Sequence, residues 1–453
     1  MALMPLTDAM FLLPESREQP MHVGSLQLFT PPKGSGPDYL TQLYQDALRA
    51  TDVAREFRRR PHRSLATLGQ WTWVDDPEID LEHHVRHSAL PPPGRIRELL
   101  ALVSRLHGTL LDRHRPLWEA HLIEGLADGR FAVYTKLHHS LMDGVSGLRL
   151  LERTLSTDAE SRDVRMPFEE RPRAPRKANG SGILQLPLQG AQAAWDLASL
   201  TPRVLKLAEQ GLREQAIALP MQAPRSVLNA PITGSRRFAA DSWPLARIQA
   251  VGRAADATVN DVVLAMCASA LRSYLLELDE LPDAPLVAMT PVSLREEGDD
   301  EGGNAVGTIL CNLATDVADP RDRLLAIRSS MRAAKAGLNG LNQLQVTALS
   351  AAIMGPLALG QIPGVQSAVR PPFNLIISNV PGPKKPLFWN GARLDGMYPL
   401  SIPTNGQALN ITVTSYAGQM QFGLIGCRRS LPRLQRLLPA LEEALAELEK
   451  AFA

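Results

Sequence analysis

The sequence lacks the cysteine content of a disulfide-stabilised or zinc-binding protein. It has three cysteines in 453 residues, Cys267, Cys311 and Cys427. They are far apart and odd in number, so they fit neither a disulfide framework nor the spacing of zinc ligands. This usage indicates a reducing compartment, and we expect a cytoplasmic protein.

Excess charge and long apolar runs are also missing. The 48 basic residues balance 47 acidic ones, giving a net charge of +1. A nucleic-acid-binding domain normally presents a strongly basic face, so no nucleic-acid partner is expected. The N-terminus lacks the pattern of a signal peptide. No run reaches the roughly 18–20 apolar residues of a membrane span, and the nearest approach, Thr347 to Ile362, is interrupted by Gly355 and Pro356.

What the sequence does contain is an alternation of strand and helix patterns in two long segments. A chain of this length exceeds a single compact core. Residues 1–157 form the first predicted unit and residues 229–453 the second. Between them, residues 158–228 are rich in arginine and proline and then read as a helix, which predicts a linker with a crossover helix. The pattern favours an α/β fold with mixed sheets flanked by helices.

The most informative stretch runs from Lys136 to Gly144. The residues before it, 130–137, have the β-branched and aromatic character of a strand. Apolar residues after it recur at helical spacing. His138 and His139 therefore lie where a strand ends, and Asp143 and Gly144 lie where a helix begins. Rigid elements on both sides suit such a junction to present a reactive side chain.

Neighbouring side chains on a strand point to opposite faces, so only one of His138 and His139 can reach a given reacting atom. The same geometry disfavours a shared metal ion, and we predict no metal site. A neutral imidazole, with a pKa of ~6.5, suits general-base catalysis. Asp143 could cap the helix or pair with an arginine and brace the loop. The alternative is that both histidines are ordinary polar residues, as we expect for the pair His83 and His84, which lacks the downstream Asp-Gly.

These residues, His-His-Ser-Leu-Met-Asp-Gly, resemble the HHxxxDG motif of the CoA-dependent acyltransferase superfamily. Six further stretches are similar to the bacterial wax ester synthase/acyl-CoA:diacylglycerol acyltransferase family. They follow the family's order over nearly the whole chain: Pro20 to Gly24, Pro116 to Trp118, Asn260-Asp261, Pro291 to Arg295, Gly303-Asn304 and Ser378 to Pro383. The residues after Gly303-Asn304 depart from the family pattern, which leaves the role of this strand entry open.

The resemblance implies two chloramphenicol-acetyltransferase-like domains with the active site at their interface. It also implies an O-acyltransferase that moves a long-chain acyl group from acyl-CoA to a fatty alcohol or to diacylglycerol. His139 would be the general base, His138 secondary and Asp143 architectural, with Arg295 as a candidate partner. Gly144 would let the backbone turn tightly into the helix.

Four other positions receive weaker expectations from the resemblance. Asn260 is expected to donate to the oxyanion or, equally, to belong with Thr258 to a helix cap. Ser378 is expected to shape the thioester pocket and Glu15 to line the site. For Trp118, packing is favoured over a role in the site.

No cofactor is implied, because acyl-CoA is a substrate. Water-insoluble substrates imply a protein at the periphery of the inner membrane or of lipid inclusions. The helical stretches Gln343–Gln361 and Leu188–Gln215 are candidate docking surfaces, although for either one alone a core helix is the favoured interpretation. Two alternatives stay open: an acyl donor held on a carrier protein, and a non-catalytic lipid-surface protein of the same fold.

Overall fold

The computed structural model describes residues 2–162, 165–170, 220–293, 306–360 and 370–453. Its helices are α1 Leu6–Leu12, α2 Tyr39–Leu48, α3 Leu81–His84, α4 Ile96–His107, α5 Gly144–Thr154, α6 Leu245–Ala254, α7 Val259–Glu277, α8 Pro320–Leu338, α9 Gln343–Gly360 and α10 Leu437–Ala451. Its strands are β1 Ala2–Leu3, β2 His22–Thr30, β3 Arg59–Arg63, β4 Trp71–Asp75, β5 Val85–Ala89, β6 Trp118–Glu124, β7 Phe131–His138, β8 Arg236–Pro244, β9 Val287–Ser293, β10 Val306–Asn312, β11 Leu375–Val380, β12 Phe388–Trp389, β13 Ala392–Leu400, β14 Leu409–Tyr416 and β15 Gln419–Cys427.

The first large sheet has the strand order β12-β13-β2-β7-β6-β5. It is antiparallel except for the pair β5 and β6. β7 lies inside it, between β2 and β6, and His22 of β2 is directly opposite His138. Both sides of β7 are therefore held by hydrogen-bonded neighbours up to the histidine pair.

The second large sheet has the order β10-β9-β11-β14-β15-β8. β11 runs parallel to both of its neighbours, β9 and β14. Helix α7 is the core helix beside this sheet and begins with a capping box between Thr258 and Asp261. Within the described residues α7 is long and apolar enough to span a membrane, but 72% of that apolar window is buried inside the protein. The mixed sheets and their helices confirm the predicted α/β architecture.

The predicted unit boundaries need two corrections. Strands β12 and β13, from the unit predicted at 229–453, join the first sheet, where β13 pairs with β2. Met166 and Phe168, placed in the linker of residues 158–228, are buried in the core of the first unit. In both cases the burial of apolar side chains places the segment in the first unit. A local sequence pattern cannot show which sheet a strand will join. The predicted crossover helix falls within residues 171–219 and lies outside the described residues.

A third, small sheet has the order β1-β4-β3. Helix α1 packs on it, because Ala9 and Leu12 share a buried cluster with Trp73 of β4. We call β1, α1, β3, β4 and the turn between β3 and β4 the N-terminal module.

Candidate active site

A cavity of about 650 Å³ lies between the two large sheets. Most of its lining is apolar. The first sheet contributes Val133, Thr135 and Leu137 of β7 together with His139. The second contributes residues of β9, β11 and β14, among them Met289, Ile376, Ser378, Val380, Asn410, Thr412 and Thr414. The cavity is thus built by both halves of the chain, as predicted for an active site at their interface.

His139 stands on the cavity wall just beyond the end of β7. Its backbone N–H donates to the Met21 carbonyl at 2.9 Å, which fixes the chain position. Its ring stacks on Phe11 of α1, with centroids 4.0 Å apart. Burial holds the pKa of His139 below its ordinary value, and the negative charge of Asp143 opposes this only in part. The imidazole is therefore neutral, and able to accept a proton, at neutral pH.

His138 faces away from the cavity and is completely buried. Its Nδ1 accepts the Ser140 backbone N–H at 3.1 Å. A backbone N–H can only donate, so the ring proton resides on Nε2, which lies 3.2 Å from Glu15 Oε1. The predicted division of the pair between two faces is confirmed: His139 lines the cavity and His138 anchors the strand end from behind.

Glu15 lies behind His138, so the prediction that it lines the site is wrong. Its carboxylate accepts the Met21 N–H at 3.1 Å and the Arg113 guanidinium at 2.9 Å. Burial raises the pKa of Glu15, but the contacts with His138, Met21 and Arg113 together hold it below its ordinary value. A carboxylate with these partners has no proton to offer an oxyanion. Glu15 instead contacts His138 on the side away from the cavity and holds its ring in position.

Asp143 is the N-cap of α5 and accepts the Ser146 N–H at 2.7 Å. This confirms the capping interpretation, while its predicted partner Arg295 lies outside the described residues. Gly144 needs a different explanation from the one predicted. Its φ is not positive, and an added Cβ would meet no atom within 4 Å. The turn itself therefore does not require glycine, and its effect is to leave the N-terminus of α5 bare at the cavity wall.

The structure separates the weaker candidates. Ser378 of β11 lines the cavity. Asn260 is not among the lining residues, and its Oδ1 accepts a hydrogen bond from Asn379 Nδ2 at 3.4 Å. Thr258 caps α7, and its side chain accepts the Asp261 N–H at 3.2 Å. Of the two interpretations of this stretch, the cap at Thr258 is the one that the contacts support.

Trp118 packs as predicted and also forms part of the wall. Its indole N–H donates to the Phe57 carbonyl at 2.9 Å, and its ring stacks on His84 with centroids 4.5 Å apart. His84 is buried, with Nδ1 2.8 Å from the Trp118 carbonyl, and burial lowers its pKa to about 4. The structural interpretation of the His83-His84 pair is thereby confirmed for His84.

Sequence reasoning missed Phe11 and the polar residues of β14. Phe11 lies in a stretch that predicts only a loop or short helix, and nothing local indicates a stack on a histidine more than one hundred residues away. Thr412 and Thr414 alternate along β14 with buried apolar residues, a signal for one polar face that could have been followed. No three His, Cys, Asp or Glu side chains converge within the described residues in a way that could hold a metal ion.

The chain matches two family models over most of its length. The wax ester synthase/diacylglycerol acyltransferase catalytic domain matches residues 3–263, and the C-terminal domain of the same family matches residues 302–449. A probable diacylglycerol O-acyltransferase of Mycobacterium tuberculosis is 53% identical over 440 residues, covering 96% of each chain.

Solved structures show the same relationship. A wax ester synthase/diacylglycerol acyltransferase from Marinobacter aquaeolei VT8 superposes with a TM-score of 0.81 at 45% identity and covers 100% of both chains. The first condensation domain of the calcium-dependent antibiotic synthetase reaches a TM-score of 0.58 at 17% identity, covering 100% of this chain and 96% of that one, which shows a shared fold. This chain belongs to the wax ester synthase/diacylglycerol acyltransferase family.

Proposed function

We propose that this chain is an acyl-CoA-dependent O-acyltransferase that transfers a long-chain acyl group to a fatty alcohol or to diacylglycerol. The observation that carries the proposal is the position of His139, a neutral imidazole on the wall of a largely apolar cavity between the two sheets. The family relationship supplies the donor and acceptor classes.

In the proposed reaction the acceptor hydroxyl loses its proton to His139 while its oxygen attacks the thioester carbonyl. The carbonyl oxygen takes the negative charge of a tetrahedral intermediate. When the C–S bond breaks, the CoA thiolate leaves and receives the proton back from His139. General-base assistance of this kind contributes roughly 10²–10⁴-fold, so positioning and oxyanion stabilisation must supply the rest.

Ser378 is the donor that we assign to the oxyanion. The neighbouring hydroxyls on β14 are already engaged: Thr412 donates to Asn410 Oδ1 at 2.9 Å and Thr414 to the Val380 carbonyl at 2.8 Å. The Ser378 side chain makes no hydrogen bond within the described part of the chain, and it lines the cavity. Ser378→Ala should lower kcat on the order of 10²-fold, whereas Thr412→Val should cost much less. Equal losses in the two variants would contradict the assignment.

The cavity is long enough for an alkyl chain. Its lining follows β7 from His139 to Val133, a path of about 20 Å at the rise of an extended strand. Apolar residues from α2, β5 and the segment after α5 line the part beyond, including Ala47, Val85 and Phe168. This shape supports a long-chain substrate, since burial of each methylene favours binding.

A cytoplasmic enzyme with such substrates should work peripherally at the inner membrane or at lipid inclusions. Helix α9 supports this part of the proposal. It has no charged residue, and Leu344, Thr347 and Ala351 are exposed on it. Further along the same helix Met354 and Leu357 line the cavity, so α9 offers an uncharged path toward it. The other predicted surface, Leu188–Gln215, lies outside the described residues.

The decisive experiment gives the purified protein long-chain acyl-CoA with either a long-chain alcohol or diacylglycerol, and measures ester formation. His139→Ala is the inactive control. Ester formation that is lost in the variant supports the proposal. Turnover only with an acyl group on a carrier protein would favour the alternative donor. Lipid binding without any acyl transfer would favour the non-catalytic alternative.

A further inference from the structure

The N-terminal module carries the most exposed large apolar side chains of the described residues. They are Leu65 at 95%, Leu68 at 92%, Leu3 at 68% and Met10 at 60%, and Leu13, directly after α1, is 64% exposed. Moving one exposed leucine side chain from water into an apolar environment changes an equilibrium constant by about one to two orders of magnitude. The exposure of these side chains to water is therefore costly and indicates a partner.

Leu65 and Leu68 are held in an ordered turn between β3 and β4. A short 3-10 helix, Leu65–Thr67, is closed by a capping box between Ser64 and Thr67. Leu68 then adopts a left-handed backbone conformation with φ of 49°, which is uncommon for leucine. The Arg63 side chain also donates to the Gly69 carbonyl. The turn therefore presents two leucines in a fixed arrangement.

The two strands that carry these leucines have a net positive charge. Residues 59–75, from the start of β3 to the end of β4, contain three arginines and one acidic residue, Asp75, which is paired with Arg55. Arg59 lies over the Trp73 ring and Arg63 over the Trp71 ring, at 5.4 and 5.7 Å from the ring centroids. The leucines lie in the turn, and the arginines and tryptophans lie on the strands behind it. This order matches a lipid interface, where apolar groups enter the acyl region and cations remain with anionic headgroups.

The module is also in direct contact with the proposed active site. Helix α1, which packs on the small sheet, carries Phe11, and this ring stacks on His139. A surface that holds the module would therefore bring lipid close to the cavity that contains the base.

We propose that the N-terminal module docks the enzyme on an anionic phospholipid membrane by inserting Leu65 and Leu68. The inference deepens the proposed function and rests on it for the reason why docking is useful, but the binding itself can be measured separately.

The experiment measures partition of the full chain onto vesicles of phosphatidylcholine alone, or of phosphatidylcholine and phosphatidylglycerol in equal parts. The variant is Leu65→Ser/Leu68→Ser. Leu276→Ser is the matched control, because Leu276 is 55% exposed on α7, outside the module. We expect the wild-type protein to prefer the anionic vesicles, salt to weaken its binding, and the double variant to bind at least about tenfold more weakly. The control variant should bind like the wild type.

Activity separates docking from chemistry. With a short-chain alcohol in solution the double variant should keep the wild-type rate, whereas with diacylglycerol in anionic vesicles its rate should fall. Equal partition of the double variant and the wild type would overturn the proposal, as would equal partition of the wild type onto neutral vesicles. Loss of a dimer in the double variant would instead assign the leucines to a second copy of this chain. If the wild type binds vesicles but transfers no acyl group, docking stands and the proposed function fails.

Discussion

The two faces of β7 differ in what their side chains contact, although the residues alternate along one strand. The front face presents Val133, Thr135, Leu137 and then His139 to an open, largely apolar cavity. The rear face carries Tyr134, Lys136 and His138, all completely buried. On the front, space and one basic nitrogen are kept for a substrate. On the rear, space is filled, and the Tyr134 hydroxyl and Lys136 Nζ have hydrogen-bond partners.

The rear face is a layer of paired charges and neutral histidines. Lys136 Nζ lies 3.0 Å from Glu119 Oε2 and donates to the carbonyls of Leu106 and Thr109. Burial raises the pKa of Glu119, but hydrogen bonds from His121 and Lys136 lower it more, to about 2. Tyr134 donates to His107 Nδ1 at 2.8 Å. Because buried charges are tolerated only with such partners, this layer is rigid, and it fixes the strand from which His139 projects.

The largest effects should come from replacing each of the two histidines with alanine, and the two variants should fail in different ways. His139→Ala should lower kcat/KM by about 10²–10⁴-fold with little change in stability, because the ring faces the cavity. His138→Ala should instead lower the unfolding temperature, because it removes a buried ring next to Glu15. Steady-state kinetics and thermal unfolding of both variants test this contrast. Full activity in His139→Ala would refute its assignment as the base.

The next largest effect concerns the charge pair of the rear layer. Lys136→Met should destabilise the protein by about 3–5 kcal/mol, because it leaves Glu119 with less compensation in a buried position. The double variant Lys136→Met/Glu119→Gln should recover part of that loss. Denaturant unfolding at equilibrium measures both. If the single variant is as stable as the wild type, the rear layer is not the rigid support described above.

Acid should weaken the rear layer first. Burial lowers the pKa of His107 from its ordinary value to about 3, and it lowers that of His22 strongly as well. In the unfolded chain both take up a proton near pH 6.5, whereas in the folded state they stay neutral. Each histidine should therefore cost ~1.4 kcal/mol of stability per pH unit as the pH falls from about 6.5 towards its folded pKa.

The matched pair for this test is His107→Gln and His114→Gln. His114 has a side chain that is 92% exposed, so its replacement controls for the loss of an imidazole at the surface. His107→Gln should give a shallower loss of stability between pH 6.5 and 4, although its stability at pH 7 will be lower. Parallel curves for all three proteins would show that His107 does not bind a proton on unfolding.

The same contrast explains what could be predicted from the sequence. Strand alternation and helical spacing are local, so the first correctly assigned His138 and His139 to opposite faces and the second assigned Asp143 to a helix start. Three other features depend on pairing between distant segments. These are the entry of β13 into the first sheet, the support that Glu15 gives His138, and the stack of Phe11 on His139. Periodicity describes which face a residue occupies, but it does not identify what that face meets.

The smallest effects should come from Asp143, which caps helix α5 and also acts on the pKa of His139. Asp143→Ala removes the N-cap of α5 and should cost about 0.5–2 kcal/mol, whereas Asp143→Asn keeps a capping oxygen and should cost less. Asp143→Asn also removes the negative charge that raises the pKa of His139. The base is active when neutral, so kcat/KM falls as the pH drops through that pKa, which burial already holds below its ordinary value. The acid limb of the pH profile should therefore move to still lower pH in Asp143→Asn. A limb that stays in place would show that Asp143 acts on the site only through the helix.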